Sequence, residues 1–511
     1  MGYTYRKSKK TAEQTVSSTN NKKNGDSAEN KLPEGINLND INAKLLDCPD
    51  IARKKVIAAG KHEAYFFYNK NLIDHDLIQR DFIKPILSMN FEELSNAGII
   101  NLPCDEPILL YDTANIIQSI ISGDTVFICM GLKHAISCSV QDPEKRSIEE
   151  PEVEKNIRGP HDGFVESLDT NFSMLRKRIK NSSLKFKTAT LGSQTNQKAA
   201  LAYIDGIANA DIVSSLFKKI TDIETDGLPA IGYIEQMIQT HPNSLFPQFL
   251  ATERPDKAVS ALLEGRIVIM LDGTPVILIA PITFMSFFQA LDDYSTSWIH
   301  GSFLRMVRMA ALFIAIMLPS LYIAVTTFHY YVVPLNLLIP LAESRARVPF
   351  PPVIEVLILE AIVEIIREAA VRLPTYIGTA IGVFASLVIG QAAVTAGIVS
   401  NILIVIVAAS AVASFVIPSF DMSMAIRILR FCFTLASAAL GIIGIMICLA
   451  LVLAHLVSME SLGQPYFQPF APVVLMDLKD TFVRLPVYTM KKRPTIAKTR
   501  NKSRGGKNGR T

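Results

Sequence analysis

Between Arg372 and Asp421 the chain runs 48 residues without one charged side chain. A helix rises 1.5 Å per residue and the hydrocarbon core of a bilayer is about 30 Å thick, so about 20 uncharged residues make one crossing. The run is long enough for two, joined by a tight turn near Gly397–Asn401. Such a stretch predicts lipid, not water, as the surrounding solvent.

Two other segments share this character. Twenty uncharged residues lie between Arg308 and His329, and the one basic or acidic residue in 431–459 is His455. The expected spans are therefore about 306–328, 376–398, 401–418 and 431–456, within a transmembrane domain over 301–460. Pro319 would kink the first, which helical bundles tolerate.

Residues 353–371 are the ambiguous neighbour. Glu360, Glu364 and Glu368 recur at i, i+4 and i+8, and with Arg367 they share an arc about 100° wide on a helix otherwise rich in Ile, Val and Leu. Glu355 lies off this arc. Carboxylates do not face lipid tails, so the stripe must meet protein, water or the interface. Two readings stand: a bundle-buried or interfacial helix with structural Glu364–Arg367 and Glu368–Arg372 pairs, or the acidic wall of a cation vestibule. On 376–398, Gly378, Gly382, Ser386 and Gly390 repeat every four residues, which suits close helix packing in a bundle or in a symmetric ring of copies. Another face carries Leu387, Gln391 and Val394, the candidate pore-lining constriction.

Residues 1–300 read as soluble protein. Residues 116–140 (IIQSIISGDTVFICMGLKHAISCSV) and 258–280 (AVSALLEGRIVIMLDGTPVILIA) share one plan: an apolar helical turn ending at Gly123 or Gly265, a strand, a glycine at 131 or 273, and a second strand. The glycines fit helix C-terminal caps, and Asp272-Gly273 is a two-residue hairpin signal of type I′. The expected fold class is an α/β cytoplasmic region of two related subdomains, at 40–145 and 146–300, followed by an all-α polytopic membrane domain. The basic run Arg176-Lys177-Arg178 and Lys180 reads as a solvated helix face.

Charge is uneven. Residues 491–511 carry nine Lys/Arg and no acid, and 1–32 carry seven against three acids; against a total of +4, the body between the tails is −9. Both tails, 1–39 and 491–511, are nearly devoid of apolar residues and read as disordered, with 461–490 a cytoplasmic segment before the second. Lys/Arg flanks favour the cytoplasmic face of a membrane protein. With both tails there, crossings must be even in number; four are favoured, with 353–371 not crossing. Residues 1–30 lack the apolar stretch of a signal peptide, so the soluble half is expected to stay cytoplasmic. The six cysteines form no C-x-x-C pair and read as reduced, buried thiols. No Walker, Rossmann, zinc or nucleophile-elbow motif is present, so neither an enzyme, a cofactor nor a metal is expected.

Several blocks resemble one family. LPSLYIAVTTFHYYVVP (318–334), VPFPPVIEVLILEAIVEIIREAAVRLP (348–374), LVIGQAAVTAGIVS (387–400), SFVIP (414–418), RGPHDGFVESLDTN (158–171) and PFAPVVLMDLKDTFVRLPVYTMKKRP (469–494) are similar to the A subunits of bacterial spore germinant receptors, the GerA family. One departure is that His329-Tyr-Tyr-Val-Val-Pro334 lacks the proline and acid expected soon after the histidine. The resemblance implies a multi-pass protein of the endospore inner membrane. It implies partners too: a transporter-like B subunit that binds the nutrient, and a C subunit that is a lipoprotein. It further implies a homo-oligomeric ring, a pentamer, acting as a nutrient-gated cation channel that initiates germination. No nucleic-acid partner is expected. An accessory germination channel of the stage V sporulation protein AF type and a secondary transporter are the alternatives; the latter predicts inverted repeats in the membrane half, where none is visible.

Overall fold

The computed structural model describes residues 35–59, 61–95, 102–103, 107–139, 154, 159–372 and 390–504. Two five-stranded antiparallel sheets occupy the N-terminal half. The first holds β1 (Ile51–Ala58), β2 (His62–Asn69), β3 (Ile108–Leu110), β4 (Thr125–Cys129) and β5 (Ala135–Cys138) in the order β1-β2-β4-β5-β3. The second holds β6 (Leu184–Leu191), β7 (Gln197–Ile204), β8 (Leu250–Thr252), β9 (Ile267–Leu271) and β10 (Ile277–Ala280) in the order β6-β7-β9-β10-β8. The permutation is the same, so the repeat seen in the sequence is a repeat of topology. β4 and β9 are central and buried at every residue, which is why TVFIC and IVIML are continuous apolar runs and not alternating ones.

Gly123 ends its helix with φ +104, as a left-handed cap requires. The hairpin after β9 forms, but not through a two-residue turn. Five residues separate β9 from β10, and only Gly273 (φ +88) of the Asp272-Gly273 pair has positive φ. The reason is tertiary. Asp272 Oδ1 accepts the Leu168 N–H at 3.1 Å, and the Gly273 N–H donates to the Glu166 carbonyl at 2.8 Å, so the loop caps the start of helix Leu168–Arg178.

Of the basic run, Lys177 and Lys180 are exposed as expected, but the two arginines are not a solvated face. Arg176 is fully buried and clamps Asp50 of the first subdomain with Nε and Nη2 at 3.0 and 3.1 Å, while Nη1 donates to the Leu184 carbonyl. Arg178 pairs with Asp162. Cys48 and Cys129 are buried free thiols, as expected, but Cys432 is free and exposed, Cys448 is half-buried, and Cys138 is disulfide-bonded, against the expectation of reduced, buried cysteines throughout.

The C-terminal half is helical: Trp298–Thr327, Leu335–Arg345, Pro352–Arg372, Asn401–Phe415, Phe420–Leu440 and Ile442–Ser458. Trp298–Thr327 and Phe420–Leu440 are long and apolar enough to cross a membrane; Asn401–Phe415 and Ile442–Ser458 are shorter apolar helices. The first helix starts eight residues before the expected boundary at 306. Arg305 and Arg308 can lie within it because Asp293 and Asp480 together balance their charges, so neither needs water. Residues 390–395 are helical and end in a turn through Gly397 (φ +68) before the Ser400 cap, as expected near Gly397–Asn401. The expected single span 431–456 is instead two helices that pack on each other, broken at Gly441.

The two halves share one core. The cluster around Phe172, Phe186, Val268 and Ile279 continues without a break into Leu312, Ile426, Leu429 and Leu456 of the bundle. The C-terminal segment closes this junction: Tyr466 hydroxyl donates to the Pro247 carbonyl at 2.8 Å and Ser461 Oγ to the Gln248 carbonyl at 3.0 Å. Residues 491–504 are not a free tail. Arg493 Nε donates to the Leu263 carbonyl, Arg504 pairs with Glu264, and Ile496 is buried. The apolar pair Ile496-Ala497 inside the basic sequence anchors it.

Candidate functional site

The acidic helix Pro352–Arg372 begins at Pro352, suited to a first-turn position, and carries its carboxylates into the bundle. Glu355 is buried. Its Oε2 accepts the Ser400 N–H at 3.1 Å and Oε1 lies 3.5 Å from Arg345 Nε, while Tyr322 hydroxyl meets Ser400 Oγ at 3.3 Å. Glu360 is buried 3.3 Å from Arg430 Nε. Glu364 gathers three guanidiniums: Arg427 at 2.9 Å, Arg430 at 3.1 Å and Arg367 at 3.1 Å. Arg367 also donates to Ser414 Oγ at 3.2 Å and lies 4.5 Å over the Phe415 ring. Only Glu368 is well exposed, 2.6 Å from Arg372.

These contacts give the helix a direction. Trp298 starts beside the α/β domain, since Gly301 packs on Asp293, and the helix ends where Phe328 and His329 meet Gly441. Tyr322 and Ser400 therefore lie towards the domain-distal end. Ser414 lies at the proximal end, where Ser423 Oγ donates to its carbonyl at 2.9 Å. Glu355 contacts the distal level and Arg367 the proximal one, so the acidic helix runs the length of the bundle. Phe420–Leu440 runs out to Gly441, and Ile442–Ser458 returns, with His455 3 residues from its end meeting Ser244 of the α/β domain at 2.9 Å.

The inner stripe is thus a mixed-charge cluster of two carboxylates, Glu360 and Glu364, and three guanidiniums. Buried ions survive away from water only when paired, and the pairing here comes from a neighbouring helix. Arg427 and Arg430 escaped the sequence reading because they stand just before the apolar run at 431. Their i, i+3 spacing, which puts both on one helix face, was the available signal.

Of the other candidates, Gly378, Gly382, Ser386 and Leu387 lie outside the described residues. Gly390 is half-buried, and a Cβ added there would meet no atom within 4 Å among the described residues. Gln391 is exposed. Val394 leans on the cluster of Tyr322, Val356 and Leu403. The described part of this helix therefore presents Gln391, with Ala392 and Thr395, outward and Val394 inward, and Gly390, one turn before Val394, lies on the same side as Val394.

A second buried charge cluster sits where the bundle meets the α/β domain. Asp293 is fully buried between Arg305 (3.0 Å) and Arg308 (2.7 Å). Arg305 also holds Asp480 of the C-terminal segment at 2.7 Å, and Asp480 accepts from the Tyr294 hydroxyl at 2.7 Å. Arg484 donates to the Asp293 and Thr296 carbonyls. Among the described residues no group of His, Cys, Asp and Glu is arranged to hold a metal ion.

Known proteins resemble the chain along most of its length. The family profile for the Bacillus/Clostridium GerA spore germination protein matches residues 39–496. "Spore germination protein KA" of Bacillus subtilis is 38% identical over 449 residues, 87% of this chain and 82% of that protein. "Spore germination protein GerQA" of Bacillus cereus is 36% identical over 449 residues, 88% of this chain and 90% of that protein. The crystal structure of the N-terminal domain of the A subunit of the Bacillus megaterium spore germinant receptor GerK3 is 27% identical, with a TM-score of 0.37, over 50% of this chain and 97% of that one. By the extent of the family profile and of the two Bacillus relatives matched in sequence, the chain belongs to the GerA family of spore germination proteins.

Proposed function

We propose that this chain is the A subunit of a spore germinant receptor, seated in the inner membrane of the endospore and assembled with a transporter-like B subunit and a lipoprotein C subunit. In this reading several copies form a ring, and the helix that contains Gly390 and Gln391 lines a cation pathway. The observation that carries it is the outward face of that helix. Gln391, Ala392, Thr395 and Ala396 are exposed beside Ala393 and Val394, which pack on Tyr322, Val356 and Leu403, so the protomer leaves uncovered a face of small residues fit for a second copy. Exposed Phe313, Leu321, Met446 and Leu451 on other helices supply an apolar outer surface for lipid.

The proposed topology has six crossings, not four. The acidic helix takes one, because its contacts run from the distal to the proximal end, and the Gly441 break makes two crossings of the segment once read as one. Both ends of the membrane domain then lie on the side of the α/β domain, in keeping with basic flanks on the cytoplasmic face. The vestibule role narrows to Glu368, since Glu360 and Glu364 are held inside the bundle by Arg430, whereas Glu368 and its partner Arg372 are both exposed. The test is planar-bilayer conductance of the purified chain, with and without its B and C partners. Cation-selective steps that require this chain support the reading; a silent chain in every combination rejects it.

A further inference from the structure

A cavity of about 280 Å³ opens between the α/β domain and the C-terminal segment, close to the small end of ligand pockets, which run roughly 300–1,000 Å³. Its wall carries six Lys/Arg side chains and three carboxylates. Two of the carboxylates are committed elsewhere. Asp480 serves Arg305 and Tyr294, and Asp477 accepts from the Thr495 N–H at 3.0 Å and from Gln468 Nε2 at 3.1 Å. Glu264 is left to face Arg266 at 3.2 Å and Arg504 at 2.7 Å. Arg493 spends its donors on the carbonyls of Leu263, Asn501 and Ser503 and has no carboxylate partner among the described residues.

Arg266 is the informative group. Its side chain is 9% exposed, it lines the cavity, and its Nε has no partner among the described residues. A buried guanidinium is costly unless its charge is met, and its one carboxylate, Glu264, is shared with Arg504, so an anion in the cavity would complete the pairing. Met285, Met476 and Ile496 give the same cavity a partly apolar wall. We propose that this cavity binds a phosphate-bearing anion whose organic part lies on that wall. Arginine forks match phosphate oxygens in geometry as well as in charge. The phosphate can come from a soluble molecule or from a phospholipid headgroup, since Asp480 joins the cavity wall to Arg305 at the start of the first bundle helix.

The experiment uses the full chain in phosphatidylcholine nanodiscs, reading thermal stability during titration with pyrophosphate. A second arm replaces pyrophosphate with phosphatidylglycerol in the disc. A saturable stabilisation is expected in at least one arm, with half-saturation weakened about tenfold or more in Arg266→Gln and Arg493→Gln and unchanged in Lys218→Gln on an exposed helix face. The responsive arm names the source. If Arg266→Gln fails to fold, Lys491→Gln combined with Lys492→Gln on the exposed rim gives the same readout. No saturable response in either arm, or one that the Arg493 and rim-lysine variants leave unaltered, overturns the proposal.

Discussion

Arg430 of helix Phe420–Leu440 holds Glu360 of the acidic helix at 3.3 Å, with 1% and 0% of the two side chains exposed. The same guanidinium reaches Glu364 at 3.1 Å, one turn along. One arginine therefore fixes both the rotation and the register of the acidic helix against the bundle. The carboxylate stripe is first of all an interhelical lock, and any role in cation passage is built on it.

The lock predicts strong coupling. Arg430→Met strands the buried Glu360 and should cost about 3–5 kcal/mol, while Glu360→Gln, which leaves Arg430 its contact with Glu364, should cost less. The double variant should cost far less than the sum of the two. Thermal unfolding of the detergent-solubilised protein, read as a double-mutant cycle, measures this. Additive effects would show that the pair is not coupled.

If the chain conducts, Glu368 and Glu360 should separate. Glu368 is exposed and paired only with the exposed Arg372, so Glu368→Gln should leave stability within about 0.5 kcal/mol of the parent. It should lower cation conductance at low ionic strength, with the difference fading in high salt as screening takes over. Glu360→Gln should act through assembly instead. Equal conductance of the parent and Glu368→Gln at low salt would remove Glu368 from the pathway.

What was legible in the sequence was local. Gly123 and Gly131, like Gly265 and Gly273, bracket strands whose apolar runs announce burial, and the same strand order in both sheets follows from that repeat. The helix over 353–371 was legible from its period. What stayed hidden depends on partners distant in sequence. Asp272 looked like a hairpin residue because its role as acceptor for Leu168 is 104 positions away. Arg176 looked like surface because Asp50 is 126 positions away. Arg305 and Arg430 looked like membrane boundaries because their acids, Asp293 and Glu360, lie on other elements. Charge marks the end of a span only when it is unpaired.

The Asp50–Arg176 clamp should set how firmly the two subdomains are joined. Arg176→Met strands a buried carboxylate and removes the donors to Leu184 and Asn181. Hydrogen exchange should accelerate around 45–50 and 181–186, while the distant sheet strand β9 stays protected. Uniform acceleration across both sheets would mean that the clamp is needed for global folding and does not act as a local fastener.

Gly441 should resist replacement. Its φ +64 and ψ −138 suit glycine alone, and an added Cβ would stand 3.1 Å from His329 Nε2 and from the Phe328 ring. Gly441→Ala should cost about 1–3 kcal/mol through backbone strain, with the Phe328 contact added to it. If thermal stability is unchanged, the two helices must be able to join without this turn, and the six-crossing topology loses its distal hairpin.

The docking of the α/β domain on the bundle should depend on pH through Glu235. Burial, and then the nearby Asp421 charge, push its carboxyl from an ordinary 4.5 up to about 7. Between those values the folded protein holds a proton that the unfolded chain has released. Stability should therefore fall as pH rises from about 4.5 to 7 and change no further from this group above that window. Glu235→Gln cannot ionise. It should melt higher than the parent at pH 8, where the parent carries the charge against Asp421, and the two should converge near pH 5. A difference independent of pH would assign the effect to packing and not to the proton.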